Sequence, residues 1–260
     1  VHVSRRNLFK YAAAGSAAAG LAALSGTTSV ANAGSLGTLL DYAAGVPSAQ
    51  AIKAAGYAGA IRYVSDRRPG ADWMVGKPVL ARETDALTAA GLQVVSCYQF
   101  GKGGTADWRG AREAGKRHAA RGLELHAAAG GPSGRPIYAS IDDNPTSTEI
   151  TTLIAPYLEG WASVVGNGAL GVYGNTRVID AMISAGVGTW FWQHNWGSPA
   201  GYVHPRANLH QFEIDKRKVD GVGVDLNSIL TRDYGQWSLA GAVGPAQPVG
   251  SSLPTGSIAP

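Results

Sequence analysis

Five times in succession the sequence writes the same phrase. A short run of Val, Ile, Leu or aromatic residues is followed by a loop, an amphipathic stretch and a glycine, and then another apolar run begins. Repeated βα units with strands apolar on both faces require a parallel sheet covered by helices. The first six runs are TLLDYA (38–43), AIRYVS (60–65), QVVSCYQ (93–99), IYASID (137–142), ALGVYGN (169–175) and TWFWQH (189–194). Helical signals fill the five gaps: Pro47 to Ala55, Leu80 to Ala90, Ala106 to Ala128 behind a Thr105 N-cap, Pro145 to Val165, and a stretch capped by Asn175 that runs to Ala185. Two further runs, NLHQFE (208–213) and VGVDLN (222–227), follow with no room for full crossover helices; NWGSPAGYVHPRA and IDKRKVDG read as their connecting loops. The expectation is an α/β TIM-type barrel of five βα units followed by three strands, (β/α)5β3. An open doubly wound sheet is the alternative.

The barrel does not use the whole chain. Residues 1–33 read as a cleavable export signal: SRRNLFK is a positive start, YAAAGSAAAGLAAL a short apolar run broken by Gly and Ser, and Ala31-Asn32-Ala33 an A-x-A site. Arg5-Arg6 with Leu8-Phe9-Lys10 resembles the twin-arginine export pattern. A folded domain over 34–238, exported by the twin-arginine machinery and with no stable membrane anchor after cleavage, is therefore expected. Residues 239–260 lack charge, aromatics and period, and read as a disordered tail. The 22 Lys+Arg include three in the first ten residues, so beyond the signal 19 face 18 Asp+Glu, a balance that excludes a nucleic-acid footprint. A single cysteine, Cys97, permits no internal disulfide, and reads as packing. His194, His204 and His210 lack metal-ligand spacing, so neither metal nor cofactor is expected; a monomer is.

In such a barrel, chemistry sits at the carboxyl ends of the strands. Those ends carry Asp41, Asp66, Tyr98-Gln99, Asp142-Asp143, Tyr173, Gln193-His194, Gln211 to Glu213, and Asp225. Side chains alternate along a strand, so Ser140 and Asp142 share the face turned to the mouth while Ile141 and Asp143 take the other. Several carboxylates converging on one end are costly unless they bind or react with something. Two bland readings stand beside this one. Asp142-Asp143 before Asn144-Pro145 also fit first-turn acids of the next helix, and GKGGTADW reads as a turn and cap. Lys216-Arg217-Lys218 reads as a solvated face, or as a contact for anionic wall polymers.

SIDDNP (140–145), with Asp41 closing the first strand and GVGVDLN (221–227) in the last, resembles the family 25 glycoside hydrolases. Those secreted lysozymes cut the muramic acid linkage of peptidoglycan, and their fourth strand ends D-x-E, commonly followed by x-N-P. The chain is more similar still to the glycoside-hydrolase-like domain of exported actinobacterial proteins. The resemblance implies Asp142 as general acid and Asp41 or Asp225 as the second carboxyl group, or as the group that orients a substrate acetamide acting as nucleophile. It implies a glycan groove bordered by Tyr98, Tyr173, Trp192 and Trp196 as flat sugar platforms, with Ser140, Asp143, His194, Gln211 and Glu213 as further contacts. The departures matter as well. Ser140 stands where the family has Asp, and Asp142 where it has Glu, retracting the carboxyl by about 1.5 Å. A misplacement of about 1 Å can cost on the order of a hundredfold in rate. A peptidoglycan hydrolase is thus expected, with a barrel that binds wall glycan without turnover as its rival.

Overall fold

The computed structural model describes residues 34–238. The export signal and the tail expected at the two ends lie outside them. Eight strands close into one barrel in chain order: β1 Thr38–Asp41, β2 Gly59–Tyr63, β3 Gln93–Tyr98, β4 Ile137–Ser140, β5 Leu170–Gly174, β6 Trp190–Gln193, β7 Leu209–Val219 and β8 Val222–Ile229. β1 through β7 run parallel, and β8 is antiparallel to both β7 and β1. Helices occupy the first five crossovers: α1 Ala49–Ala54, α2 Ala81–Ala89, α3 Ala111–Ala128, then α4 Ser147–Glu149 continuing through a π-helical turn, Ile150–Ile154, into α5 Ala155–Val165, and finally α6 Thr176–Ala185. This is the (β/α)5β3 barrel expected from the repeat.

Three local expectations change. Residues 214–219 are not loop: β7 continues to Val219 and turns back into β8 through Asp220 (φ 52) and Gly221 (φ 76), the left-handed pair that a two-residue hairpin needs. α3 begins at Ala111, not Ala106, because two 3₁₀ turns, Gly103–Thr105 and Asp107–Gly110, precede it; the Thr105 hydroxyl instead accepts from Lys102 N at 3.3 Å. The helix after β4 is capped by Thr146, whose Oγ1 accepts from Glu149 N while Glu149 Oε2 accepts from Thr146 N. Asp142 and Asp143 are therefore not its caps. Asn175 caps α6 as expected, with Oδ1 accepting from Val178 N at 3.0 Å.

The pleat divides the apolar residues between two cores. Leu39, Ile61, Val95, Cys97, Tyr138 and Trp192 point into the barrel with neighbours of the same row. Leu40, Ala60, Val94, Ile137, Val172 and Phe191 point outward under the helices. α3 and α5 cross backbone to backbone: a Cβ on Gly115 would stand 2.0 Å from Tyr157 O, and one on Gly160 2.3 Å from Arg112 O. At the amino-end face Trp237 bridges Val94 and is buried, its Nε1 donating to Ser96 Oγ at 3.1 Å. Ser96 Oγ in turn lies 2.8 Å from His126 Nδ1, and His126 Nε2 3.1 Å from Pro132 O.

Candidate active site

The inward rows end in polar side chains at the carboxyl-end mouth. β1 and β8 are in register at Asp41 and Asp225, so the two carboxyl groups point inward side by side. Gln211 Nε2, from β7, donates to both, at 3.0 Å to Asp41 Oδ2 and 3.3 Å to Asp225 Oδ2. Asp41 is almost wholly buried and takes two more neutral donors, Asn227 Nδ2 at 2.8 Å and Tyr63 OH at 3.1 Å. Burial raises its pKa, against the pull of those donors. Asp225 accepts from Asp215 N at 2.8 Å and is pushed up to about 8, first by burial and then by the charge of Asp41. This is the environment in which a carboxyl group keeps its proton at neutral pH.

Asp142 sits on the opposite arc with different company. Gln99 Nε2 donates to its Oδ2 at 2.9 Å, and Lys102 Nζ makes an ion pair with the same oxygen. Ser140, one inward step below it, is buried and its hydroxyl has no partner. Asn144 holds this end of β4 in place: its Oδ1 accepts from Asn175 Nδ2 at 3.2 Å and from Arg177 at 2.7 Å, tying the loop to the start of α6. Asp143 faces outward, half-buried, with its pKa raised by burial first and by Asp142 second.

The aromatic side is narrower than expected. Tyr173 belongs to the mouth, with its hydroxyl donating to Gln211 Oε1 at 2.7 Å. The half-buried Trp196 stacks on His194 (centroids 3.9 Å apart, planes at 15°) and meets Tyr173 edge-on. His194 is fixed by Nε2 to Ile141 O at 3.1 Å, and burial lowers its pKa to about 4. Two expected platforms are corrected. Tyr98 occupies an outward position of β3 and packs on His118 and Trp161 beneath the helices, so no sugar reaches it. Trp192 points inward but is 1% exposed, and its Nε1 donates to Asn227 Oδ1 at 2.9 Å; it is the floor of the site. Glu213 follows an irregularity in the β7–β8 pairing and is ion-paired to Arg217 at 2.6 Å, with no hydrogen bond to the acids.

The residues that sequence reasoning missed are Lys102, Tyr63 and Asn227. Strand alternation would have found the last, since Asn227 shares a face with Asp225, and Tyr63 follows Ile61 on the inward row. Lys102 offered no such signal, because it reaches Asp142 from a loop. Among the described residues no group of three or more His, Cys, Asp or Glu side chains is placed to hold a metal ion, and no helix is long and apolar enough to cross a membrane.

With this geometry in view, comparison with known proteins is decisive about family. Residues 50–229 match the model of the "Rv2525c-like, glycoside hydrolase-like domain". The chain belongs to the Rv2525c-like family. One Rv2525c-like relative, "Putative peptidoglycan hydrolase Rv2525c" of Mycobacterium tuberculosis, is 60% identical over 238 residues, covering 91% of this chain and 99% of its own. The crystal structure of the Mycobacterium tuberculosis Tat-secreted protein Rv2525c in complex with L-tartrate aligns with a TM-score of 0.78 and 62% identity, over 78% of this chain and 100% of that one. The Rv2525c-like fold extends to more distant barrels. The modular autolysin LytC of Streptococcus pneumoniae, solved with a synthetic peptidoglycan ligand, aligns with a TM-score of 0.53 at 12% identity, over 74% of this chain and 46% of that one.

Proposed function

We propose that this Rv2525c-like chain is exported by the twin-arginine route and hydrolyses the glycan of cell-wall peptidoglycan, with a muramidase-type cut. The observation that carries the reading is the set of three carboxyl groups, Asp41, Asp225 and Asp142, turned into one barrel mouth by β1, β8 and the end of β4. Glycoside hydrolysis needs two such groups in unlike protonation states, one to protonate the leaving oxygen and one to act as base, nucleophile or orienting charge. The half-buried Trp196 offers a flat surface beside them, backed by the buried Tyr173, and the unpartnered Ser140 hydroxyl is a contact for a sugar substituent. The relative's name and its Tat secretion point the same way. Arg5 and Arg6 stand where the route requires them, so Arg5→Lys with Arg6→Lys should abolish export, measured as loss of the protein from the extracytoplasmic fraction.

A second reading has its own observation. Lys102 occupies the oxygen of the carboxyl group that the family resemblance makes the acid, and Ser140 supplies no charge. A barrel so altered binds glycan without cutting it. Incubating the protein with purified peptidoglycan separates the two: the hydrolase releases new reducing ends, whereas the binder co-sediments with the polymer and releases none.

A further inference from the structure

The mouth contains three carboxyl groups but distributes its positive charge unevenly. Asp142 has an ammonium group on it. Among the described residues no Lys or Arg is hydrogen-bonded or ion-paired to Asp41 or Asp225; every side-chain donor to them is neutral, an amide of Gln211 or Asn227 or the Tyr63 hydroxyl. The charged groups that weigh most on Asp225 are Asp41, Asp215 and Asp142, all acids, and its own charge in turn raises the pKa of Tyr63 on β2. Arg62 acts on Asp41 only from behind the strand, since its guanidinium is held outward by Glu83 at 2.5 Å and by the carbonyls of Tyr42 and Gly76. Two adjacent carboxyl groups bridged by one amide and lacking a cation cannot both be ionised at small cost.

We infer that Asp41 and Asp225 share one proton, and that Asp225 delivers it to the leaving oxygen while Asp142, paired with Lys102, supplies the fixed negative charge. Asp225 is the partner able to give the proton, because it remains partly exposed where Asp41 is sealed beneath Gln211 and Asn227. Burial and the charge of Asp41 hold its pKa at about 8, in accord with that arrangement. The buried, unpartnered Ser140 hydroxyl on the inward row of β4 is a group kept free for a ligand between the two arcs. In the step, the C1–O bond breaks with its electron pair going to the leaving oxygen, which takes the Asp225 proton. Water adds at C1 and the proton it releases restores the pair, so glycoside and water become two sugars with the protein unchanged. The reaction rests on the hydrolase reading above; the location of the proton does not.

The test follows the proton directly. The full chain is labelled with carboxyl-¹³C aspartate, and its resonances are recorded from pH 3 to 10 in the wild type and in Asp41→Asn, Asp225→Asn and Asp142→Asn. One late transition near pH 8 is expected in the wild type. Because the transition belongs to the pair, it should move to lower pH in both Asp41→Asn and Asp225→Asn, where the neighbouring charge is gone, and persist in Asp142→Asn. The inference is overturned if Asp41 and Asp225 both titrate by about pH 5, or if the late transition is lost in Asp142→Asn alone. A late transition in a protein that releases no reducing ends would end the hydrolase reading and leave the shared proton standing. Where turnover is seen, Asp225→Asn should lower kcat by about 10²- to 10⁴-fold, and the wild-type rate should decline above about pH 8; an unaltered kcat in Asp225→Asn overturns its role as donor.

Discussion

Lys77 is buried just behind the mouth, its ammonium donating to Gln99 O at 2.8 Å and lying 3.8 Å from the centre of the Tyr63 ring. It thus steadies the two residues that reach Asp142 and Asp41. Burial lowers its pKa from 10.5 to about 8. Between those values the unfolded chain binds more protons than the folded one, so this group's contribution is complete above about 10.5 and is lost as pH falls through about 8. The stability difference between the wild type and Lys77→Met in urea unfolding should therefore change across that window in the wild type's favour as pH rises, by up to about 1.4 kcal/mol per unit. In the wild type alone the rise is offset above about 9, where the buried Cys97 keeps a proton that the unfolded chain loses. Arg62 is the other buried cation, and Arg62→Met strands Glu83 and two carbonyls; a loss of about 3–5 kcal/mol in urea unfolding is expected. Neither lysine nor arginine was legible as part of the site, because a cation's role depends on which carbonyls the loops bring to it. Asp41, Asp142 and Asp225 were legible, since strand parity alone turns them inward. Tyr98 obeys the same rule: an aromatic at a strand's end reads as a platform only until its parity is counted from Cys97, which packs inside.

The crossing of α3 and α5 puts an ordinary rule into reverse. Alanine in place of a mid-helix glycine normally stabilises by roughly 0.5–1 kcal/mol, but at Gly115 the new methyl would meet Tyr157 O at 2.0 Å. Gly115→Ala should therefore cost about 1–3 kcal/mol, as overpacking does, and thermal unfolding would record the sign. All eight strands and five helical crossovers could be read beforehand, because the strands of the βα units are dominated by apolar residues on both faces and each helix runs into a glycine. The hairpin arm could not, although Asp220-Gly221 is a strong turn signal. Its residues 215–218 are all charged and exposed, and polarity without alternation reads as loop. The start of α3 was missed for a related reason. Thr105 is a good cap by type, yet Asp107 is drawn back to accept from Phe100 N and Gly101 N, and the chain spends two 3₁₀ turns before the helix can begin.

Across the whole barrel the two faces have separate tasks. The carboxyl-end mouth gathers the acids, and the amino-end face is closed by Trp237 on Val94 and by the Tyr138 hydroxyl donating to Tyr234 O at 2.9 Å. Trp237→Ala removes a wholly enclosed ring and the Nε1 donor to Ser96 Oγ. A loss of about 3–5 kcal/mol in urea unfolding is expected, with the titration of Asp225 unaltered, since that carboxyl group lies at the other face. The clasp also fixes where the described chain departs. Leu36, which donates to Ile229 O at 2.8 Å, enters on the same face that Trp237 leaves. A bead, a resin or a fluorophore coupled at Ser238 is thus fastened to the underside of a cup whose opening points away, and a polymer as long as a glycan strand can still be laid across the rim.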